Sequence, residues 1–398
     1  MRVFLVSYAG QATGGTELLH QFCRCLMDNG IESYMMYSNV QGVQCPTPEP
    51  FLKYGVKYVR QFVDADDTIL ILTEIQLQLV EMCKKGTVMV WWLSVGNYLG
   101  QYQEAIKNAN HMDVFGLKLR KDIIHFVQSH YAKDFLEKEI GIKDSYFLMD
   151  YINDDIMQIA TQYANTFERE DICLYNPKKG YEALKPLMEA CRKDIQWIAL
   201  EGYTPEEMAM LMCRAKVYID LGGHPGKDRI PREAAICGCL VLTNRVGSAA
   251  YKEDVGIPEC YKLENTEDVD AALHKLYELL DGYQEKAQEY SDYRASIANE
   301  KEEFMRDAKT AMTILKNCVA ENSKPGILSE LQMHEQMMLS LGNAANQLNR
   351  LASAAALYCK TGKRENVINN LLTMDYLVQV MNEAMSVELS ELAEESSR

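Results

Sequence analysis

The sequence has no apolar run approaching the roughly 18 residues that a membrane-spanning helix requires, and no long basic amphipathic helix to lie on a lipid surface. It is short of positive charge: 41 Lys and Arg face 57 Asp and Glu, for a formal net charge of -16. A chain so acidic repels nucleic acid and anionic membrane as a whole, so any anion must be bound by a local cluster. There is no CxxC pair with a matching His. The 12 cysteines are scattered, and Cys23, Cys213 and Cys237 lie inside apolar runs, so they read as reduced thiols of a cytoplasmic protein and not as a zinc site or a disulfide framework. The opening MRVFLVSYAG carries one basic residue and a short apolar run, which suits a first strand better than a signal peptide. No GxxxxGK[ST] loop is present, which argues against a nucleoside triphosphatase, and no repeat of about 20 to 50 residues is visible.

What is there is an alternation of strands and helices. At 398 residues the chain exceeds one ordinary core and suggests two domains with an appendage. VFLVS at 3–7 leads through a loop into GGTELLHQFCRCLMDNG, where Leu18, Leu19, Phe22 and Leu26 share a helical face and Gly30 closes the helix. TILILT at 68–73, VMVWWLS at 88–94 and VFG near 114 read as further strands. After DYINDDI the pattern restarts with ICLYNP at 172–177, QWIALEG at 196–202, KVYIDLG at 216–222 and CLVLTN at 239–244. The expectation is an α/β protein with two Rossmann-like doubly wound domains, 1–155 and 156–318, followed by a helical extension over 319–398. TPEEMAMLMCRA is a structural helix capped by Thr204, with Pro205 in its first turn and Glu207 completing the capping box. Residues 266–318 read as long, largely exposed helices. The Leu and Met stripes of 327–398 fit a core against the main body and a homo-oligomer or partner interface equally well.

Chemistry concentrates in GGHPGKDRIPREAAICGCLVLT, 222–243, which runs from the end of a strand through a glycine loop and a helix into the next strand. Helix starts offer free N–H groups and a positive dipole end, and Lys227, Arg229 and Arg232 supply charge suited to phosphate. In LYNPKKGYEALKPLMEA, Lys178 and Lys179 also follow a strand and precede a helix. Together the two sites point to a diphosphate. In SYAGQATGGTE, Gly10, Gly14 and Gly15 lie between a strand and a helix without GxGxxG spacing, so they mark either close backbone approach to a ligand or a turn that needs glycine. Trp91 and Trp92 offer faces for an acceptor sugar or fill the core. His111, His125 and His130 read as structural, with Ser129 capping a helix.

The pairing of GGTE near the start with NPKKG and GKDRIPREAAICGCLVLTNRVGSA in a second domain resembles the GT-B glycosyltransferases, in particular the retaining family four. The resemblance covers roughly 1–318 and is most specific at 172–250. It implies two domains facing a cleft, the first holding the acceptor and the second the nucleotide sugar, with no metal and no cofactor beyond the donor. It makes Lys179 the phosphate-binding Lys and Glu233 the second Glu of the paired-Glu motif, which holds the donor ribose; these two are the catalytic candidates. Gly14 and Gly15 match the glycine loop near the donor phosphates, and Tyr203 in LEGYT matches the position of nucleobase contacts. Lys178, Lys227, Arg229 and Arg232 complete the donor site. The sequence departs from the motif at Pro225, where the first Glu would stand, and at Asn176, where an Arg is usual. The implied activity is retaining transfer of a sugar to a glycan or lipid-linked acceptor, as in polysaccharide biosynthesis. The alternative is a non-catalytic relative that binds a partner through its C-terminal helices.

Overall fold

The computed structural model describes residues 1–38, 40, 45–322 and 352; the helices read over 327–398 thus lie, apart from residue 352, outside the described residues. Two parallel sheets organise the chain. The first contains β1 (Arg2–Tyr8), β2 (Glu32–Ser38), β3 (Tyr58–Val59), β4 (Thr68–Thr73), β5 (Thr87–Trp92), β6 (Ile123–Val127) and β7 (Ser145–Phe147), in the order β3-β2-β1-β4-β5-β6-β7. The second contains β8 (Glu170–Tyr175), β9 (Gln196–Ala199), β10 (Ala215–Asp220), β11 (Leu240–Asn244) and β12 (Lys262–Leu263), in the order β12-β11-β10-β8-β9. The expected α/β class with two Rossmann-like sheets is what is observed. Two compact units are present among the described residues: one holds Met1–Val90, Tyr102–Ile124 and the stretch 312–322, the other Trp91–Gln101 and His125–Ala311.

In the first unit, α1 (Gly14–Asp28) follows β1. Thr13 caps it, its hydroxyl accepting the Thr16 N–H at 3.3 Å while the Thr16 hydroxyl accepts the Thr13 N–H at 2.9 Å. Leu18, Leu19, Phe22 and Leu26 are buried as their spacing predicts, and Gly30 follows with φ 72°, a left-handed conformation that only glycine adopts without strain. The unit also holds α3 (Gln103–Ala109). The strand expected near 114 is instead a turn. Gly116 has φ 65° and the Asp113 carboxylate accepts the Leu117 and Lys118 N–H groups at 2.7 and 3.0 Å, so these residues are drawn into a single helical turn.

In the second unit, α2 (Val95–Gln101), α4 (His130–Phe135) and α5 (Asp154–Tyr163) precede the second sheet, and α6 (Tyr181–Ala190), α7 (Pro205–Met212) and α8 (Arg229–Ile236) alternate with its strands. The expected capping box of α7 is present: the Thr204 hydroxyl accepts the Glu207 N–H at 3.2 Å and the Glu207 carboxylate accepts the Thr204 N–H at 2.9 Å. Ser129 caps α4 as its sequence suggests, accepting the Ala132 N–H at 3.0 Å. Helices α9 (Val269–Asp281), α10 (Tyr283–Glu289) and α11 (Ser291–Asn322) close the described chain. They are less exposed than expected, because Leu276, Leu279 and Leu280 of α9 and Tyr293, Ile297 and Phe304 of α11 are buried. Trp91 and Trp92 are fully buried, with indole N–H groups bonded to the Leu148 carbonyl at 3.0 Å and to His125 Nδ1 at 3.2 Å. Both are core, which removes them as a sugar platform. The described cysteines are free thiols, and among the described residues no helix is long and apolar enough to cross a membrane.

Candidate functional site

The strand order of the second sheet fixes where a ligand can bind. β8 comes first in the chain, β9 lies to one side of it and β10 to the other. Chain connections diverge at that point, and in open α/β sheets ligands bind outside the carboxyl ends of the strands at such a switch point, here the loops after β8 and β10.

The loop after β8 is shaped by Asn176. Its side-chain oxygen accepts the Lys178 N–H at 3.0 Å and its carbonyl accepts the Lys179 N–H at 3.1 Å. The residue standing where the family pattern has an Arg therefore builds the turn. Gly180 ends the turn with φ 66°, and a Cβ there would overlap the backbone of Leu221 and Gly222. A Cβ on Gly222 would in turn lie 2.8 Å from that of Lys179. The glycines let the two loops touch, and this contact places Lys179 over the start of α8. Its ammonium donates to Asp228 at 2.8 Å and its side chain is 30% exposed, so it stays within reach of a ligand. Lys178 points into solvent, 3.6 Å from Glu201. Tyr203 is exposed in the loop after β9.

The other three cations are placed differently. Arg232 is fully buried: Nη2 donates to both oxygens of Asp150 at 2.8 and 2.9 Å, and Nη1 donates to Glu300 at 2.7 Å. It also donates to the carbonyls of Asp228 and Lys227 at 3.1 and 3.0 Å. Lys227 is buried with its ammonium 3.1 Å from Glu300, and Arg229 donates to Asp150 at 3.2 Å. These side chains hold the loop in shape and are neutralised by two acids that the sequence reading did not single out. Burial opposes ionisation of Asp150, but Arg232, Arg229 and Lys227 outweigh it and hold its carboxyl at about 2. For Asp228, burial is likewise outweighed by the His224 ring and Lys179, and the carboxyl lies below its ordinary range. Glu233, on α8, is buried.

Pro225 is packed by its surroundings: its carbonyl accepts the Gly96 N–H at 3.1 Å, and a Cβ on Gly96 would overlap its ring. Gly14 and Gly15 belong to the first unit, where they form the first turn of α1; the glycine with a positive φ in that loop is Gly10, at 69°. The site thus brings together Lys178, Lys179, Lys227, Arg229, Arg232 and Glu233 within one unit, with Lys179 bridging its two loops. Asp150 and Glu300 carried no signal, since they lie 82 and 68 residues from Arg232. Asp228 could have been found from its place just before the helix, a position that favours short acids, although its carboxylate makes no capping hydrogen bond and accepts from Lys179 instead.

No family model matches the chain, and no curated protein matches it. Among solved structures, the sucrose-phosphate synthase of Thermosynechococcus elongatus is 16% identical with a TM-score of 0.54, covering 80% of this chain and 99% of its own. Anabaena HepE, crystallised with UDP-glucose, is 13% identical with a TM-score of 0.52 over 81% of this chain and 100% of its own. A UDP-forming α,α-trehalose-phosphate synthase from Burkholderia vietnamiensis is 11% identical with a TM-score of 0.53 over 80% and 99%. At these identities the likeness establishes a shared fold.

Proposed function

We propose that the chain is a glycosyltransferase that moves a sugar, with retention, from a nucleoside-diphosphate sugar to a glycan or lipid-linked acceptor. The observation that carries this reading is the meeting of the β8 and β10 loops at the switch point, with Lys179 reachable above the start of α8. Glycosyl transfer needs fixed positive charge where the diphosphate leaves. Lys179 and the dipole of α8 supply it, with Lys178 free to swing in. Glu233 is assigned to the donor ribose and Tyr203 to the nucleobase. The fold neighbours direct the first choice of donor, since HepE holds UDP-glucose and the trehalose-phosphate synthase is UDP-forming.

The test is a thermal-shift titration with UDP, GDP, ADP, CDP and their sugars, on the wild type and on Lys179→Ala. A ligand that binds the native state raises the melting point by mass action, by about 2.7 kcal/mol at a hundredfold excess over Kd. One nucleotide should produce a shift that Lys179→Ala reduces, and the variant should lose transfer by at least about tenfold, as removal of a transition-state charge contact does. Full binding and transfer by Lys179→Ala would overturn the site.

A second reading, a non-catalytic relative, is favoured by one specific feature: Pro225 replaces the motif's first Glu and is packed into the fold, while Lys227, Arg229 and Arg232 are paired with internal acids. It predicts no shift with any nucleotide, and a change of mass in light scattering when 327–398 is deleted.

A further inference from the structure

We infer that Asp220, His224 and Asp228 form a binding site for a divalent transition-metal cation. The three residues come from the carboxyl end of β10, the glycine loop after it, and the residue capping α8. One ligand atom from each can be chosen so that all lie within 4.8 Å of one another. The imidazole of His224 is fully buried between the two carboxylates, with Nε2 3.9 Å from Asp220 and Nδ1 3.2 Å from Asp228. Neither ring nitrogen makes a hydrogen bond. A buried imidazole with both nitrogens unsatisfied is costly, and coordination by one of them removes part of that cost.

The charge balance points the same way. Asp220 is held in place by the Tyr218 hydroxyl at 2.9 Å and the Gly222 N–H at 3.0 Å, and Asp228 by the Lys179 ammonium at 2.8 Å. With a neutral imidazole, the form that can ligate a metal, two carboxylates facing one ammonium leave a negative charge at a place where an anionic donor is proposed to lie. Lys227, Arg229 and Arg232 are themselves paired with Asp150 and Glu300 and do not offset it. A divalent ion reverses that sign. One imidazole nitrogen and two carboxylate oxygens suit Zn²⁺, Mn²⁺ or Co²⁺ better than Ca²⁺ or Mg²⁺, and three protein ligands leave a coordination position open.

The test starts from the full chain stripped with a chelator and dialysed. Isothermal titration with Zn²⁺, Mn²⁺ and Mg²⁺ should show one site per chain for a transition metal, much weaker binding of Mg²⁺, and a raised melting temperature. Asp220→Asn and His224→Gln should each weaken binding by at least the roughly tenfold to hundredfold that loss of even an outer-shell partner costs. Cys45 and Cys260 are exposed thiols, so a Co²⁺ absorption spectrum without thiolate charge transfer separates this site from adventitious binding to them. Absence of a stoichiometric transition-metal site in the wild type, a thiolate spectrum, or unchanged affinity in both variants overturns the inference. UDP binding is measured with and without the ion in the same preparation. UDP binding without ion binding removes the cation site alone, and ion binding without UDP binding removes the donor reading alone.

Discussion

Gly180 shows how much of the site depends on the absence of one carbon. Its φ of 66° and the overlap a Cβ would make with Leu221 and Gly222 act on the same atom. Gly180→Ala should therefore cost more than the roughly 0.4–1 kcal/mol scale of ordinary Gly/Ala exchanges and should weaken nucleotide binding by displacing Lys179. Gly223→Ala is the control, because nothing lies within 4 Å of a Cβ there. Urea unfolding of both variants checks this, and equal midpoints would show that the two loops can separate without cost. At this scale the sequence was informative about which residues gather. Glycines and lysines placed just after strands are local signals, and Lys179 stands where they put it. The partner of each cation was not legible, since Asp150 and Glu300 reach Arg232 only through the folded chain.

Among the elements, α8 is tied at its start by Arg232 to the segment around Asp150 and to α11 through Glu300. Removing one partner of a buried ion pair leaves the other charged and unsolvated, so Arg232→Ala should lose about 3–5 kcal/mol. The combined change Arg232→Met with Asp150→Asn should lose less than the two single changes added together, because the charge and its counter-charge leave together. Guanidinium unfolding across the double-mutant cycle reads the coupling directly, and additive losses would show that Arg232 acts by packing alone. The elements themselves differed in how well they could be read. α7 was legible because its capping box is local chemistry among Thr204, Pro205 and Glu207. β2 was missed because ESYMMYS lacks the β-branched residues that mark a strand; it is specified by pairing with β1 and β3. VFG near 114 reads differently for the opposite reason, since two apolar residues before a left-handed glycine are a turn once Asp113 accepts the following N–H groups.

For the whole molecule, the acid response follows from carboxyls held out of their ordinary range. Asp150 titrates at about 2 in the fold, where burial is outweighed by Arg232, Arg229 and Lys227, with Glu300 the second acid of that cluster. In the unfolded chain an Asp titrates near 3.9. As pH falls, the unfolded state therefore takes up this proton first. The stability Asp150 contributes, roughly 2–3 kcal/mol, is complete above the unfolded value and is lost as pH drops through about 4 toward 2. Glu278, lowered to about 2 chiefly by the Tyr261 hydroxyl against the opposing effect of burial, works in the same direction. Asp254 and Asp307 work against it, because burial raises their carboxyls and the fold takes up their protons early. Neutralising part of the net charge of -16 also relieves self-repulsion, so the steep loss should begin only below about pH 4, where the unfolded chain takes up a proton that Asp150, facing Arg232 and Arg229, does not accept in the fold. Urea midpoints measured from pH 7 to pH 2.5 should be nearly flat and then fall, and Asp150→Asn, already destabilised at pH 7, should lose much of that fall. An Asp150→Asn profile parallel to the wild type at every pH would place the acid sensitivity elsewhere in the fold.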